Sequence, residues 1–367
     1  MIGMKDTMVS FGEIMGRLCP EGFLRFRQSL PGKLEFTFGG AEANVAASLA
    51  LMGGKARFVT ALPDNVIGEC CVSLLNGLGV DTGAIVKSKQ GRLGLYFLET
   101  GANQRPSNVV YDRDYSAVGM TAGDVYDWKK IFADACWFHV SGITPALTRV
   151  AAEAVETAVK AAKAAGVKVS CDLNFRKKLW RWDSSLKPNQ LAEQTMRRIL
   201  PYVDVAIANE EDASDVLGIR AGGSDVNSGK LEIDRYPEVA KKIVAQFPNL
   251  EKVAITLRES ISATHNNWGA MLYDAQADRA CFAPLRNGQY EPYPIRDIVD
   301  RVGGGDSFAA GLILALNDEA LCAPESAIAY AVAASCLAHS VKGDINYATR
   351  KEVEALMGGS ASGRVVR

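Results

Sequence analysis

IVDRVGGGDSFAAGLILAL, residues 298–316, is the stretch whose reading decides the fold. A short β-branched run meets three glycines and an aspartate, and an apolar, alanine-rich segment long enough for three helical turns follows. The pattern predicts a strand end, a tight turn and a helix N-terminus. Without a Cβ, Gly303, Gly304 and Gly305 let the backbone take positive φ and approach a ligand closely. The first amides of the helix have no intrahelical partner, and its dipole is positive there, so the turn is suited to an anion such as a phosphoryl group. Asp306 stands at the mouth of this site. Two roles are open to it: a helix N-cap, or a general base that takes a proton from a hydroxyl attacking the phosphoryl group.

The run D-R-V-G-G-G-D-S-F-A-A-G resembles the C-terminal signature of the ribokinase-like (PfkB) carbohydrate kinases, D-x-x-G-A-G-D, with Gly304 where alanine is commoner. That exchange is expected to be harmless where only backbone amides are used.

Moving outward, 367 residues suffice for one large α/β domain with an appendage, and 48% hydrophobic residues provide a sizeable core. A formal charge of −1 argues against a nucleic-acid surface, so an anionic ligand must be met by local arginines. The eight cysteines form no C-x-x-C pair, which points to reduced thiols in a cytoplasmic protein. Three histidines and no H-E-x-x-H pattern argue against a protein-ligated zinc. Neither a secretory leader nor an 18-residue uncharged apolar run is visible.

Met8–Ile14 is expected to be the opening strand. Residues 15–38 break into short pieces with turn residues, and 92–100 and 108–114 look like two further strands; together, 15–38 and 92–118 are expected to form a small β-sheet lid. Its unused face would be covered by a second subunit, a homodimer. Residues 1–14, 39–91 and 119–357 alternate strand and helix with near-continuous apolar strands, predicting a mostly parallel central sheet flanked by helices on both faces. Residues 218–232 read as a polar surface insertion and 358–367 as a tail.

Gly142, Asn174, Asn209 and Thr256 fall at expected C-terminal strand ends, where such sheets bind ligands. Tyr111 and Arg113 share one face of a lid strand, and Arg176 follows a strand end of the main body. Two guanidinium groups aimed at one cleft suit a carboxylate better than a neutral sugar.

Further segments add to the resemblance: Gly39-Gly40-x-x-x-Asn44, Asp64-x-x-x-Gly68, Tyr96, the run from Ser141 to Leu147, Tyr111-x-Arg113 and the run from Asp172 to Arg176. Within the family they are similar to kinases of 2-keto-3-deoxygluconate. The resemblance implies ATP-dependent phosphorylation of that acid at its 6-hydroxyl, with Asp306 as base and Gly303, Gly304, Gly305 and Asp306 supplying an anion hole. It implies that Gly40, Asn44, Tyr96, Tyr111, Arg113 and Arg176 hold the acid. Asn209, Thr256 and Arg258 fall on the nucleotide side, and Asp212 is placed to meet Mg2+ through water, in a position where glutamate is usual. A monovalent cation is a further expectation. The alternatives are a fructokinase or ribokinase with a neutral substrate, a non-catalytic sugar-binding regulator, and an NAD-dependent dehydrogenase. The last is disfavoured because no G-x-G-x-x-G follows an early strand.

Overall fold

The computed structural model describes residues 5–209, 211–219 and 233–360. Most of the 218–232 insertion and most of the tail therefore lie outside the described residues.

Near-continuous apolar strands need both faces covered, and they are. The central nine-stranded sheet runs, from one edge, Lys55–Val59, Thr7–Phe11, Ala135–Ser141, Lys168–Asp172, Val205–Ala208 and Lys252–Ser262, all parallel. It continues antiparallel through His265–Asp274 and Arg279–Ala283, and Tyr293–Ile295 also pairs with His265–Asp274. On one face Val9, Phe11 and Phe138 pack against the helices Arg149–Ala164, Pro188–Ile199 and Tyr236–Gln246. On the other, Met8 and Trp137 pack against Ala41–Leu51, Gly304–Leu316 and Pro324–Ala338. Alternate residues of one strand thus feed opposite cores. Phe308, Leu312 and Ile313 of the glycine-turn helix are buried. At about 1.5–3 kcal/mol for each large apolar side chain buried, that helix has little freedom to shift.

A separate four-stranded sheet holds Glu35–Gly39, Met15–Cys19, Gly94–Glu99 and Asn108–Asp112, in that order. Its register sorts the side chains into two faces. Thr37, Arg17, Tyr96 and Tyr111 lie in one cross-strand row; Phe36, Leu18, Phe97 and Val110 lie in the next. Successive residues of a strand point to opposite faces, so the first row fronts the main body and the second faces away from it.

One expectation is corrected. No strand leads into the glycines: the Ile298 amide donates to the Thr264 carbonyl and the Val299 amide to that of His339, while Arg301 and Val302 donate to the Asp300 carboxylate, so no ladder forms. The segment Thr264–Trp268 belongs to a long hairpin in which Thr256 faces Ala270 and Arg258 faces Trp268. Residues 56–62 form two strands, Lys55–Val59 and Ala61–Pro63. The helix after Pro63 is capped by Asn65, whose side chain accepts from the Ile67 and Gly68 amides, whereas Asp64 lies beside Lys87 at 3.7 Å. No helix among the described residues is long and apolar enough to cross a membrane.

Candidate active site

The C-terminal ends of the parallel strands, the small sheet and the glycine turn enclose one cleft of about 320 Å3. That lies within the usual range for a small-molecule site. Gly40, Asn44, Tyr96, Tyr111, Arg113, Asn174, Arg176, Asn209, Asp212, Thr256, Arg258 and Gly303 to Asp306 all line it, whereas Gly142, also expected at a strand end, does not.

Gly303, with φ of 81°, is the N-cap of the helix Gly304–Leu316. A Cβ there would stand 2.0 Å from the Asp344 carbonyl oxygen, so only glycine fits. Asp306, in the first turn, makes no cap bond. One of the two readings of this residue is thereby removed. Its carboxylate instead accepts from Asn44 Nδ2 at 2.7 Å, while Asn44 Oδ1 accepts from the Gly40 amide at 3.2 Å. Gly40 is equally constrained, since a Cβ would meet the Glu13 carbonyl oxygen at 2.0 Å. Burial pushes the Asp306 carboxyl up to about 7; the Asn44 bond and Arg176 oppose the rise, and Asp344 and Glu42 add to it. A carboxylate with that affinity for protons is matched to general-base work near neutral pH. Gly305 has open space where a side chain would be, and Gly304 lies against His339, whose Cε1 would be 3.0 Å from a Cβ. Alanine at 304 is therefore less neutral than the sequence suggests, because the imidazole is fixed by a bond between Nδ1 and the Ser335 carbonyl.

The two arginines expected to clamp a carboxylate differ. Arg113 is buried and its Nε donates to Glu13 Oε2 at 2.7 Å, with its guanidinium over the Tyr111 ring. Arg176 is exposed to the cleft, donates to the Phe175 carbonyl and has no ion-pair partner among the described residues. Tyr96 likewise has a partner: its hydroxyl donates to the Asp344 carboxylate at 2.6 Å.

On the opposite side Asn209 and Asp212 fix the local backbone. Asn209 Oδ1 accepts from the Glu211 and Asp212 amides, and Asp212 accepts from the Phe175 and Asn209 amides at 3.0 Å. Burial raises the carboxyl pKa of Asp212, and that of Asp172 rises through burial and then repulsion from Asp212 and Asp306. Thr256 bonds weakly to the Ala208 carbonyl at 3.5 Å.

Sequence reasoning missed several lining groups. Arg301 donates to Asn266 Oδ1 at 2.6 Å, leaving buried Asn266 Nδ2 without a hydrogen-bond partner among the described residues, and His339 stands beside them. Arg301 lies inside the quoted signature, so the only available signal was a basic residue next to a glycine turn. Asp344 was missed too; nothing in its neighbourhood in the chain marks it.

The fold, the cleft and the glycine turn with its aspartate define a phosphotransferase of the ribokinase-like class, and residues 5–351 match the pfkB family carbohydrate kinase model. The chain belongs to this family and is a sugar kinase. It is 31% identical over 361 residues to the 2-dehydro-3-deoxygalactonokinase of Haloferax volcanii, covering 98% of this chain and 99% of that protein. It is also similar to the crystal structure of 2-dehydro-3-deoxygluconokinase from Thermotoga maritima, with 42% identity, a TM-score of 0.85, and 96% and 98% of the two chains covered. A PfkB carbohydrate kinase from Listeria grayi superposes with a TM-score of 0.82 at 31% identity, with 96% and 99% covered.

Proposed function

We propose that this sugar kinase transfers the γ-phosphoryl group of ATP to the 6-hydroxyl of 2-keto-3-deoxygluconate. The observation that carries this reading is the pairing, in one cleft, of Asp306 beside a bare glycine turn with Arg176, a guanidinium lacking a carboxylate of its own among the described residues. Asp306 takes the hydroxyl proton as the sugar oxygen bonds to the γ-phosphorus. The bond from that phosphorus to the β–γ bridging oxygen breaks, and ADP leaves with the electron pair. Asn44 holds the receiving carboxylate in position, and the amides from Gly303 onward stabilise charge on the transferring group. Arg176 meets the acid's carboxylate, and Gly40, Tyr96, Tyr111 and Arg113 shape the remaining wall.

Asn209, Thr256 and Arg258 would face the nucleotide. No cluster of three His, Cys, Asp or Glu among the described residues could hold a metal by itself. The residues present suit a magnesium ion that arrives with the phosphates and keeps its water shell, with Asp212 and the mutually repelling Asp172 as outer acceptors. Bound there, it would neutralise phosphate charge.

The segments 15–38 and 92–118 act as a lid that excludes water. The outward row Phe36, Leu18, Phe97 and Val110, in which Phe36 is 46% and Val110 51% exposed, fits a second copy of the chain, giving a homodimer.

One observation favours a neutral hexose: Glu13 already neutralises Arg113, so only one clamp arginine is available. A coupled ADP-release assay over 2-keto-3-deoxygluconate, its C4 epimer, fructose and ribose separates the two. The acids are expected to be turned over at least tenfold more efficiently; preference for a neutral sugar would replace this reading.

A further inference from the structure

Arg17 belongs to no motif and plays no part in the chemistry above. It sits on strand Met15–Cys19 of the small sheet, in the row that fronts the main body, and is 2% exposed. Its two terminal nitrogens reach two different carboxylates. Nη1 donates to Asp344 Oδ1 at 2.7 Å, and Nη2 donates to Asp300 Oδ2. Both partners are buried, Asp300 at 4% and Asp344 at 5% exposure.

These carboxylates are what hold the glycine turn. Asp300 Oδ1 accepts from the Arg301 amide at 2.8 Å and the Val302 amide at 3.2 Å, fixing the residues that lead into Gly303. Its Oδ2 also accepts from the Gly343 amide at 3.2 Å, which joins it to the loop carrying Asp344. The Asp344 carbonyl packs against Gly303 so closely that no Cβ fits between them. Tyr96, from the neighbouring strand of the same sheet, donates its hydroxyl to Asp344 as well. A continuous set of contacts therefore runs from the small sheet through Arg17 and Tyr96, then Asp300 and Asp344, to the Gly303 backbone.

We propose that Arg17 is a positioning residue that latches the substrate-covering sheet to the glycine turn, making docking of that sheet and alignment of the turn's amides a single event. The proposal rests on the reading of Gly303 to Asp306 as the phosphoryl site. Its physical basis is the cost of two buried carboxylates without their shared cation. Removing one partner of a buried pair leaves an uncompensated charge, which must find water or a proton. Either response moves Asp300 off the amides that shape the turn. Lysine, a single point charge, cannot replace a fork that reaches two carboxylates at once.

The test compares wild type with Arg17→Met, Arg17→Lys and Asp300→Asn, measuring ADP released and sugar phosphate formed from ATP and 2-keto-3-deoxygluconate in the same reaction. Arg17→Met is expected to lose about 10- to 100-fold in kcat, the scale of a displaced catalytic geometry. Its ratio of ADP to sugar phosphate is expected to exceed one as water reaches the site. Arg17→Lys should fall between it and wild type, and Asp300→Asn should shift the ratio in the same direction. A residue that only supported stability would lower both products together at a ratio of one, and that result, or an unchanged kcat, overturns the latch. If Arg17→Met does not fold, Asp300→Asn decides by the same ratio. Absence of sugar-acid phosphorylation by wild type is a separate outcome, which removes the functional reading and the latch with it.

Discussion

At the end of the cleft proposed to hold the sugar, polar side chains are answered by residues from distant parts of the chain: Asn44 by Asp306, Tyr96 by Asp344, Arg113 by Glu13. At the end proposed for the nucleotide, Asn209 and Asp212 bond to amides a few residues away or in the adjoining strand end, and Arg301 and Asn266 bond to each other while the Asn266 donor has no partner among the described residues. The first end is organised before any ligand arrives. The second keeps an unpaired donor among the described residues, which suits the charged nucleotide proposed for it. The difference teaches that proximity to the cleft does not make a side chain available. Arg113 and Arg176 both line it, yet only Arg176 has no carboxylate attached among the described residues.

The comparison can be broken most directly at Asp306. Asp306→Asn is expected to lower kcat by ~10² to 10⁴, the span for a lost general base, with little change in sugar KM. Steady-state kinetics showing near-normal turnover would remove the assignment. Next in size is Arg113→Ala. Glu13 Oε1 already lacks a hydrogen-bond partner among the described residues, and losing Arg113 would strand the whole carboxylate. A loss of about 3–5 kcal/mol in folding stability is expected from urea unfolding. An equally stable variant would show that the pair is not structural.

Arg176→Ala sharpens the contrast. It should leave stability unchanged and cut kcat/KM for the sugar acid by roughly 10- to 100-fold, the worth of a charge-assisted hydrogen bond, while a neutral sugar is little affected. Equal losses on both would count against a carboxylate contact. At the other end, Arg301→Ala is expected to raise the KM for ATP by about tenfold and leave the sugar KM alone. A change confined to the sugar would reverse the assignment of the two ends.

Much of this was legible in sequence where function depends on local backbone. The glycine turn, the Gly40-to-Asn44 element and the strand-end residues Asn174 and Thr256 announce themselves through glycines and short spacings. What escaped depends on contacts across the chain. Arg17 meets Asp300 and Asp344 at separations of 283 and 327 residues, so no spacing marks the set. The hairpin around Thr264 escaped for another reason. Beyond Leu257 its first strand leaves the packed sheet and becomes polar and exposed, so the apolar pattern that predicts a strand stops before the strand does. The N-cap reading of Asp306 was reasonable for the residue type, and failed because the helix starts earlier, with Gly303 at the N-cap position and Asp306 inside the first turn.

The pH dependence of kcat/KM, measured for wild type and Asp306→Asn, tests the central claim most directly. With its carboxyl held at about 7, wild-type Asp306 accepts a proton only as the pH rises through that value, so activity should climb along an acid limb centred near 7. The linked effect on folding has the opposite sign. A carboxyl whose pKa is raised above its unfolded value of about 3.9 contributes stability that is complete below that value and lost as pH rises through 7. Asp306→Asn should abolish the acid limb and leave a low, flat profile; the same limb in both proteins would contradict the account.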